Sequence, residues 1–245
     1  MGVSMPAVTK NLLIINCLLW LATIVFSQTG LVDLDKYLGL HYWRASDFNA
    51  AQLFTYMFMH DSSGITHLFF NMFSLWMFGA TLERVLGGKR YLFYYLTCGL
   101  GAGLVQELSW EFTWESEFIT AMANQNSLTF DQVRALMASG QINNLVAQFH
   151  GMLVTVGASG AVFGILLAFG MLFPNLPMYI IPFPFPIKAK WLVLGYGLVE
   201  LFFGLAGVMN GVAHFAHLGG MLFGFILLMY WRHKGAAGGP TNGYY

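Results

Sequence analysis

Five polar side chains lie within strongly apolar segments of the chain: His67, Asn71, Ser159, His214 and His217. A polar group in such a segment is energetically costly, so each of them is a candidate for function. A serine hydroxyl is a poor nucleophile until a neighbouring base takes its proton, and a serine beside a histidine is the smallest unit that can do so. Together these residue types would support nucleophilic hydrolysis.

Each of these residues also has a structural interpretation. A serine in an apolar helix usually bonds its own backbone, and a histidine can serve packing or bind a metal. Two histidines three residues apart are too few for a metal site, and the sequence has no HExxH motif of a zinc protease. We therefore expect no metal and no cofactor. Because the apolar segments contain no aspartate, an aspartyl mechanism is excluded as well.

The composition indicates an integral membrane protein. Of the 245 residues, 57% are hydrophobic and 9% are charged, whereas soluble domains carry roughly 25% charged residues. Lysine plus arginine and aspartate plus glutamate both total 11, so nothing favours a nucleic-acid partner. The two cysteines, Cys17 and Cys98, lie in apolar runs and make no disulfide framework.

Six stretches are long and apolar enough to cross a bilayer, which takes about 20 residues. The sequence therefore predicts an all-α membrane protein, a bundle of six helices in one domain over residues 1–234, with a disordered tail at 235–245. The first stretch lacks a small-residue cleavage site and is expected to be a retained span. The predicted spans are 11–28, 66–82, 90–108, 150–173, 190–206 and 211–231.

Basic residues predict the orientation. Eight of the eleven flank one set of helix ends, and the positive-inside rule then places both termini in the cytoplasm. The eight are Lys10, Arg84, Lys89, Arg90, Lys188, Lys190, Arg232 and Lys234, against Lys36, Arg44 and Arg134 on the other side.

The connections differ in character. Residues 29–65 carry apolar and aromatic side chains that suit the lipid headgroup region. The outer loop 109–149 shows apolar residues at helical spacing, broken at Ser139-Gly140, which predicts two short amphipathic helices. Five prolines make the inner turn 174–187 an extended connector.

The candidate residues share one depth. Ser159 and His217 each lie 15 residues from the inner end of their span, and Asn71 and His67 lie 13 and 17 residues from Arg84. At 1.5 Å per residue these positions are roughly 20–25 Å above the inner boundary. One layer shared by three helices predicts a single site in the outer half of the membrane.

Small residues predict that two of these helices touch. Spacings of four residues join Gly160, Gly164 and Ala168 in the fourth span, and Ala216, Gly220 and Gly224 in the sixth. Small residues at this spacing let helix backbones approach closely in lipid. Because Ser159 and His217 adjoin these two ridges, close packing would bring the hydroxyl to the imidazole.

Three motifs in this order resemble those of the rhomboid intramembrane serine proteases. They are an HxxxN motif at His67–Asn71, a GxSG motif at Gly157–Gly160, and a histidine followed by glycines at His217, Gly220 and Gly224. The resemblance covers roughly residues 10–232. It implies a six-span rhomboid fold in the lipid bilayer and hydrolysis of peptide bonds in or near the transmembrane helices of membrane-protein substrates.

The resemblance also implies a role for each residue. Ser159 would be the nucleophile and His217 the general base, a dyad without an aspartate. His67 and Asn71 would hold the oxyanion together with the Ser159 backbone N–H. Gly157, Gly160, Phe163 and Gly220 would support the site. Many members carry tyrosine where this chain has Phe163, whose ring can still pack on the imidazole of His217.

Several alternatives stay open. His214 competes for the role of base, although glycines follow only His217 at the family spacing. Glu200 is either a hydrogen-bonded structural residue, which we favour, or part of a gate for substrates. Glu83 is expected to be structural.

The competing functions are a catalytically inactive relative that binds and escorts membrane proteins, and a small transporter or channel. The expected compartment is a bacterial plasma membrane, and the oligomeric state is left undetermined.

Overall fold

The computed structural model describes residues 4–179, 185–207 and 212–235, and most of them are helical. Residues 236–245 of the predicted disordered tail lie outside these ranges. The longer helices are α1 Ala7–Thr29, α4 Thr66–Ser74, α5 Ala80–Leu86, α6 Gly88–Asn126, α7 Phe130–Ala138, α8 Asn143–Met152, α9 Ser159–Leu172, α10 Ala189–Ala206 and α11 His214–His233. Short elements are α2 Leu34–Leu38, α3 Gln52–Thr55, a 3₁₀ turn Tyr56–Phe58, and strands β1 Leu40–His41, β2 Val154–Thr155, β3 Pro177–Met178 and β4 Ile187–Lys188.

By length and composition, three of the described helices are long and apolar enough to cross a bilayer: α1, α10 and α11. The apolar α9 is shorter, with 14 residues. The count of six spans and the cytoplasmic termini therefore stay predictions. Helices α1 and α10 follow the predicted spans closely, whereas α11 begins at His214, later than the predicted 211, which lies outside the described residues.

The second predicted span is one continuous helical rod with a π-helical segment at Leu75–Gly79 between α4 and α5. It extends past the predicted end at residue 82 and stops at Gly87, whose φ of 77° suits glycine. Near that end Glu83 accepts the backbone N–H groups of Val8 and Thr9 at 2.9 and 2.7 Å. The carboxylate thus caps the first turn of α1, and its predicted structural role is confirmed.

The helix of the third predicted span continues well beyond the predicted end at residue 108. Helix α6 has 39 residues and continues from Gly88 through the first part of the predicted outer loop to Asn126. The prediction ended the span before the acidic residues Glu111, Glu115 and Glu117, but no glycine or proline follows Gly103 within the helix. Good helix formers such as Glu111 and Glu115 therefore carry it on until Ser127 adopts a left-handed conformation.

The two amphipathic helices expected in the rest of the outer loop are confirmed as α7 and α8. Thr129 and Gln132 form a capping box at the start of α7, and Gly140 at φ 74° separates the two helices. Their apolar faces meet the end of α6 in a small second core that includes Phe118 and Val133.

The fourth predicted span began too early. His150 belongs to α8, the chain then pairs as β2 with β1, and the helix starts at Ser159. The reason is local, because Gly157 has a φ of 136°, which no helix accommodates. The chain just before Ser159 is therefore non-helical.

The segment 29–65 turns part of its apolar surface inward. Leu40 and Tyr42 are fully buried. Glu111 of α6 accepts hydrogen bonds from Tyr42 Oη at 2.6 Å and from Trp43 Nε1 at 2.8 Å, and it forms an ion pair with Arg44. These three partners lower the pKa of Glu111 to about 2. The segment is therefore fastened to α6.

On the inner side, β3 and β4 pair antiparallel, which agrees with the extended connector predicted at 174–187 for its described residues.

Helices α6, α9 and α11 form the centre of the molecule. The predicted contact between the small-residue ridges is confirmed, since a Cβ added at Gly220 would overlap the carbonyl group of Gly160. Helix α6 completes this contact with Cys98 and Ala102, which face Gly164 and Gly160. Small residues on three helices, rather than two, thus allow the close packing that positions the residues described next.

Candidate active site

Ser159 is the first residue of α9 and is only partly buried. The backbone before it is held in place because the N–H of Gly157 donates to the carbonyl of Tyr56 at 3.0 Å, while the Tyr56 hydroxyl bonds the Gly99 carbonyl of α6. Backbone N–H groups of a first helical turn have no partner within their helix. The N–H of Ser159 itself is therefore in a position to bind a ligand oxygen.

The structure brings the Ser159 hydroxyl to His217. The distance from Ser159 Oγ to His217 Nε2 is 2.8 Å, a hydrogen bond of good length. His217 lies in the first turn of α11 and is buried. Their helices meet at Gly160 and Gly220, so the small-residue contact sets this distance.

Phe163 fixes the plane of the imidazole. Its ring is stacked on His217 with centroids 4.2 Å apart and an angle of 7° between the planes. Phe163 is one helical turn after Ser159, so the same face of α9 carries the hydroxyl and the supporting ring. The ring of Phe163 therefore packs on the imidazole of His217 as expected, although it lacks the hydroxyl of a tyrosine.

The sequence did not predict that Glu200 lies beside the candidate base. Its Oε2 atom lies 2.6 Å from His214 Nδ1 and 2.9 Å from His217 Nδ1. The contact with His214 is an aligned hydrogen bond, whereas at His217 the distance is short but the ring N–H does not point directly at the oxygen. Glu200 is hydrogen-bonded, as favoured, but it also faces the candidate base. A lone carboxylate within an apolar span was the signal for this position.

His214 is held away from the serine by this carboxylate. Its Nδ1 bonds Glu200, and its buried Nε2 has no hydrogen-bond partner among the described residues. Donor atoms of Glu200, His214 and His217 all lie within 4.8 Å of one another, the one such group of three in the described chain. Hydrogen bonding and ion pairing to the carboxylate account for this spacing, and we assign no metal to it.

His67 lies on the other side of the serine. The backbone N–H of Asp61 donates to its Nδ1 at 3.3 Å, which assigns the ring proton to Nε2. A Cβ built on Gly157 would lie 3.0 Å from His67 Cε1 and Nε2 and 3.5 Å from Ser159 Oγ. The imidazole edge of His67 and the hydroxyl therefore border one small space, which only glycine leaves open.

Asn71 follows His67 by one helical turn. Its amide Nδ2 donates to the His67 carbonyl at 2.9 Å, and its Oδ1 is buried without a partner in the described structure. The side chain thus braces α4 at the level of His67, and no described contact joins it to Ser159. A neighbour that the sequence did not single out is His60, fully buried with its ring centroid 5.2 Å from that of His67. Burial, with the charge on His67 second, lowers the pKa of His60 to about 3.

Comparison with known proteins agrees with the geometry. The sequence matches the family described as the Rhomboid domain over residues 42–112 and 118–234, which is most of the chain. The chain belongs to the rhomboid family. With the apolar helices α1, α10 and α11, this makes it an integral membrane protein.

Similar curated proteins are also rhomboids. The chain is 26% identical over 65% of its length to "Rhomboid protein 1, mitochondrial" of Saccharomyces cerevisiae and 28% identical over 86% to "RHOMBOID-like protein 4" of Arabidopsis thaliana. It is 29% identical over 82% to "RHOMBOID-like protein 6, mitochondrial" of Arabidopsis thaliana.

These relatives are considerably longer proteins. The chain spans 36%, 40% and 49% of their respective lengths. Two of the three names place the protein in mitochondria, so the relatives give no support to a bacterial plasma membrane. For this rhomboid, the compartment therefore stays open within the class of integral membrane proteins.

Proposed function

We propose that this rhomboid is an intramembrane serine endopeptidase that cleaves peptide bonds in or near the transmembrane helices of other membrane proteins. The observation that carries the proposal is the 2.8 Å hydrogen bond between Ser159 Oγ and His217 Nε2. A nucleophile paired with a base is what amide hydrolysis requires, and Phe163 and the Gly160–Gly220 contact support the pair.

The reaction would follow two stages. In the first, Ser159 Oγ attacks the scissile carbonyl carbon while its proton passes to His217 Nε2, and His217 then gives the proton to the leaving amine. In the second, a water loses its proton to the same nitrogen and attacks the acyl-enzyme. The proton returns to Ser159 Oγ as the product leaves as a carboxylic acid, which then ionises in water, so the enzyme ends as it began.

Oxyanion stabilisation would come from the Ser159 backbone N–H and from His67, whose Nε2–H edge borders the hydroxyl. A single donor of this kind is worth roughly 3–4 kcal/mol in serine hydrolases. For Asn71 we propose a weaker, supporting part, because its amide already donates to the His67 carbonyl. It would reach the oxyanion through its second amide hydrogen.

We also propose the six-span arrangement with both termini in the cytoplasm. The 14 residues of α9 rise about 21 Å, less than a hydrocarbon core of about 30 Å, so Ser159 would lie below the outer surface. Water would reach it past the non-helical chain around Gly157. A substrate helix must unwind locally to expose its carbonyl, which favours segments containing glycine, serine or proline.

The test is cleavage of a fluorogenic transmembrane peptide by the purified protein in detergent. Wild type should cleave it, and Ser159→Ala and His217→Ala should each lose at least about 10³-fold in kcat. His214→Ala should keep measurable activity, because its nitrogen does not contact the hydroxyl. Labelling by a fluorophosphonate provides a second readout that depends on Ser159 but needs no substrate.

Two results would refute the proposal. One is equal cleavage by wild type and both variants, which would place the activity elsewhere. The other is a folded wild-type protein that neither cleaves nor accepts the fluorophosphonate, which would instead favour an inactive relative that binds membrane proteins.

A further inference from the structure

We infer that Glu200 is a positioning residue that extends the Ser159–His217 pair into a three-residue chain, with the carboxylate holding His217 in the proton arrangement of a general base. The inference rests on the proposed function and adds a residue on a third helix to it. Its basis is the position of Glu200 Oε2 on the far side of the imidazole from the serine, 2.9 Å from Nδ1.

The proton arrangement follows from the two nitrogens of the ring. For His217 to act as base, Ser159 must donate to its Nε2 atom, so this nitrogen offers its lone pair and the neutral ring carries its proton on Nδ1. Nδ1 is buried and makes no aligned hydrogen bond in the described chain, although Glu200 Oε2 lies 2.9 Å from it. A carboxylate facing Nδ1 stabilises this tautomer and also the imidazolium that forms during attack.

Glu200 has no evident packing role on its helix. Most side chains of α10 are exposed in the described structure, and its buried residues, Ala189 and Val193, lie near its other end. Glu200 is the single acidic residue of α10, yet its side chain is 12% exposed and turned toward α11. A carboxylate is costly to place in an apolar span unless it is paired, so its partners give the reason for its presence.

His214 holds the carboxylate in place. Its Nδ1 donates to the same Oε2 atom at 2.6 Å from one turn earlier on α11. Two imidazoles of α11 therefore share one oxygen of α10. This explains why the helix carries histidines three residues apart although only His217 reaches the serine.

The test compares two substitutions that separate charge from shape. Glu200→Gln keeps the length of the side chain and removes the charge, whereas Glu200→Asp keeps the charge and shortens the side chain. We expect Glu200→Gln to lower kcat and the rate of fluorophosphonate labelling at least about 10-fold, with KM little changed. The upper limit is the roughly 10⁴-fold loss that follows when the triad aspartate of a soluble serine protease is replaced by asparagine. Asp should be the more active of the two. Glu117→Gln, an exposed site on α6, is the matched control and should match wild type.

The outcomes are separable from those of the proposed function. If wild type cleaves and Glu200→Gln stays within about threefold of it, Glu200 is not a positioning residue although the protease proposal stands. If Gln and Asp lose activity equally and both melt at lower temperature, the role is only structural. If wild type neither cleaves nor labels, the proposed function itself fails.

Discussion

The contact between α9 and α11 should control activity more strongly than stability, and Gly220→Ala tests this. The added methyl group would overlap the carbonyl of Gly160, one residue beyond Ser159. The backbones must then separate at the level of the site. Relief of this overlap needs a separation of more than about 1 Å, which would lengthen the Ser159–His217 distance from 2.8 Å to beyond about 3.8 Å, where a hydrogen bond is lost.

A misplacement of about 1 Å can cost about 10²-fold in rate, so we expect kcat for the transmembrane peptide to fall by that factor. Overpacking should lower the free energy of unfolding by about 1–3 kcal/mol, measured by thermal melting in detergent. Gly195→Ala is the control, because a Cβ at Gly195 of α10 meets nothing within 4 Å. If Gly220→Ala cleaves within about threefold of wild type, the ridge contact does not set the geometry of the pair.

Three further perturbations test separate parts of the structure. Gly157→Ala should lower kcat more than it lowers stability, because a φ of 136° strains any side chain by about 1–3 kcal/mol and the added methyl group would press on His67. A normal kcat would contradict this. Gly151→Ala is the control, because a Cβ there meets open space. The pKa of His60 is about 3 in the folded protein and 6.5 in the unfolded chain. The free energy of unfolding should therefore be greatest at neutral pH and above, and should fall by about 2 kcal/mol between pH 7 and pH 5. That slope should flatten in His60→Gln, and an unchanged slope would show that His60 is not its source. Glu83→Ala should lower the free energy of unfolding by about 1–2 kcal/mol through loss of the cap on α1, measured by thermal melting, and should leave kcat unchanged.

The sequence predicted the serine–histidine contact because membrane helices impose a simple geometry. Depth can be counted along a helix at a fixed rise, and small residues at spacings of four mark where helices approach. These two rules were enough to place Ser159 beside His217 and Gly160 beside Gly220. The same spacing rule could also have identified α6 as the third partner, because its contact residues Cys98 and Ala102 lie four residues apart.

The errors have equally physical causes. Polarity was used to end the third span, but a helix ends where its backbone changes conformation, which for α6 is at Ser127. The fourth span was started at His150, although Gly157 prevents a helix until Ser159. Glu200 was assigned no partner because periodicity within α10 does not tell which of its faces meets α11. That information exists only in the packing of the helices.

The candidate site lies where three helices begin. Helix α4 starts at Thr66, α9 at Ser159 and α11 at His214, so His67, Ser159 and His217 all belong to first turns. The chain before each start is non-helical. Irregular backbone at membrane depth persists only where protein buries it or water reaches it. The helix starts at Ser159 and His67, from which the proposed oxyanion donors come, would therefore also admit the water that hydrolysis consumes, which a site in the middle of continuous helices would exclude.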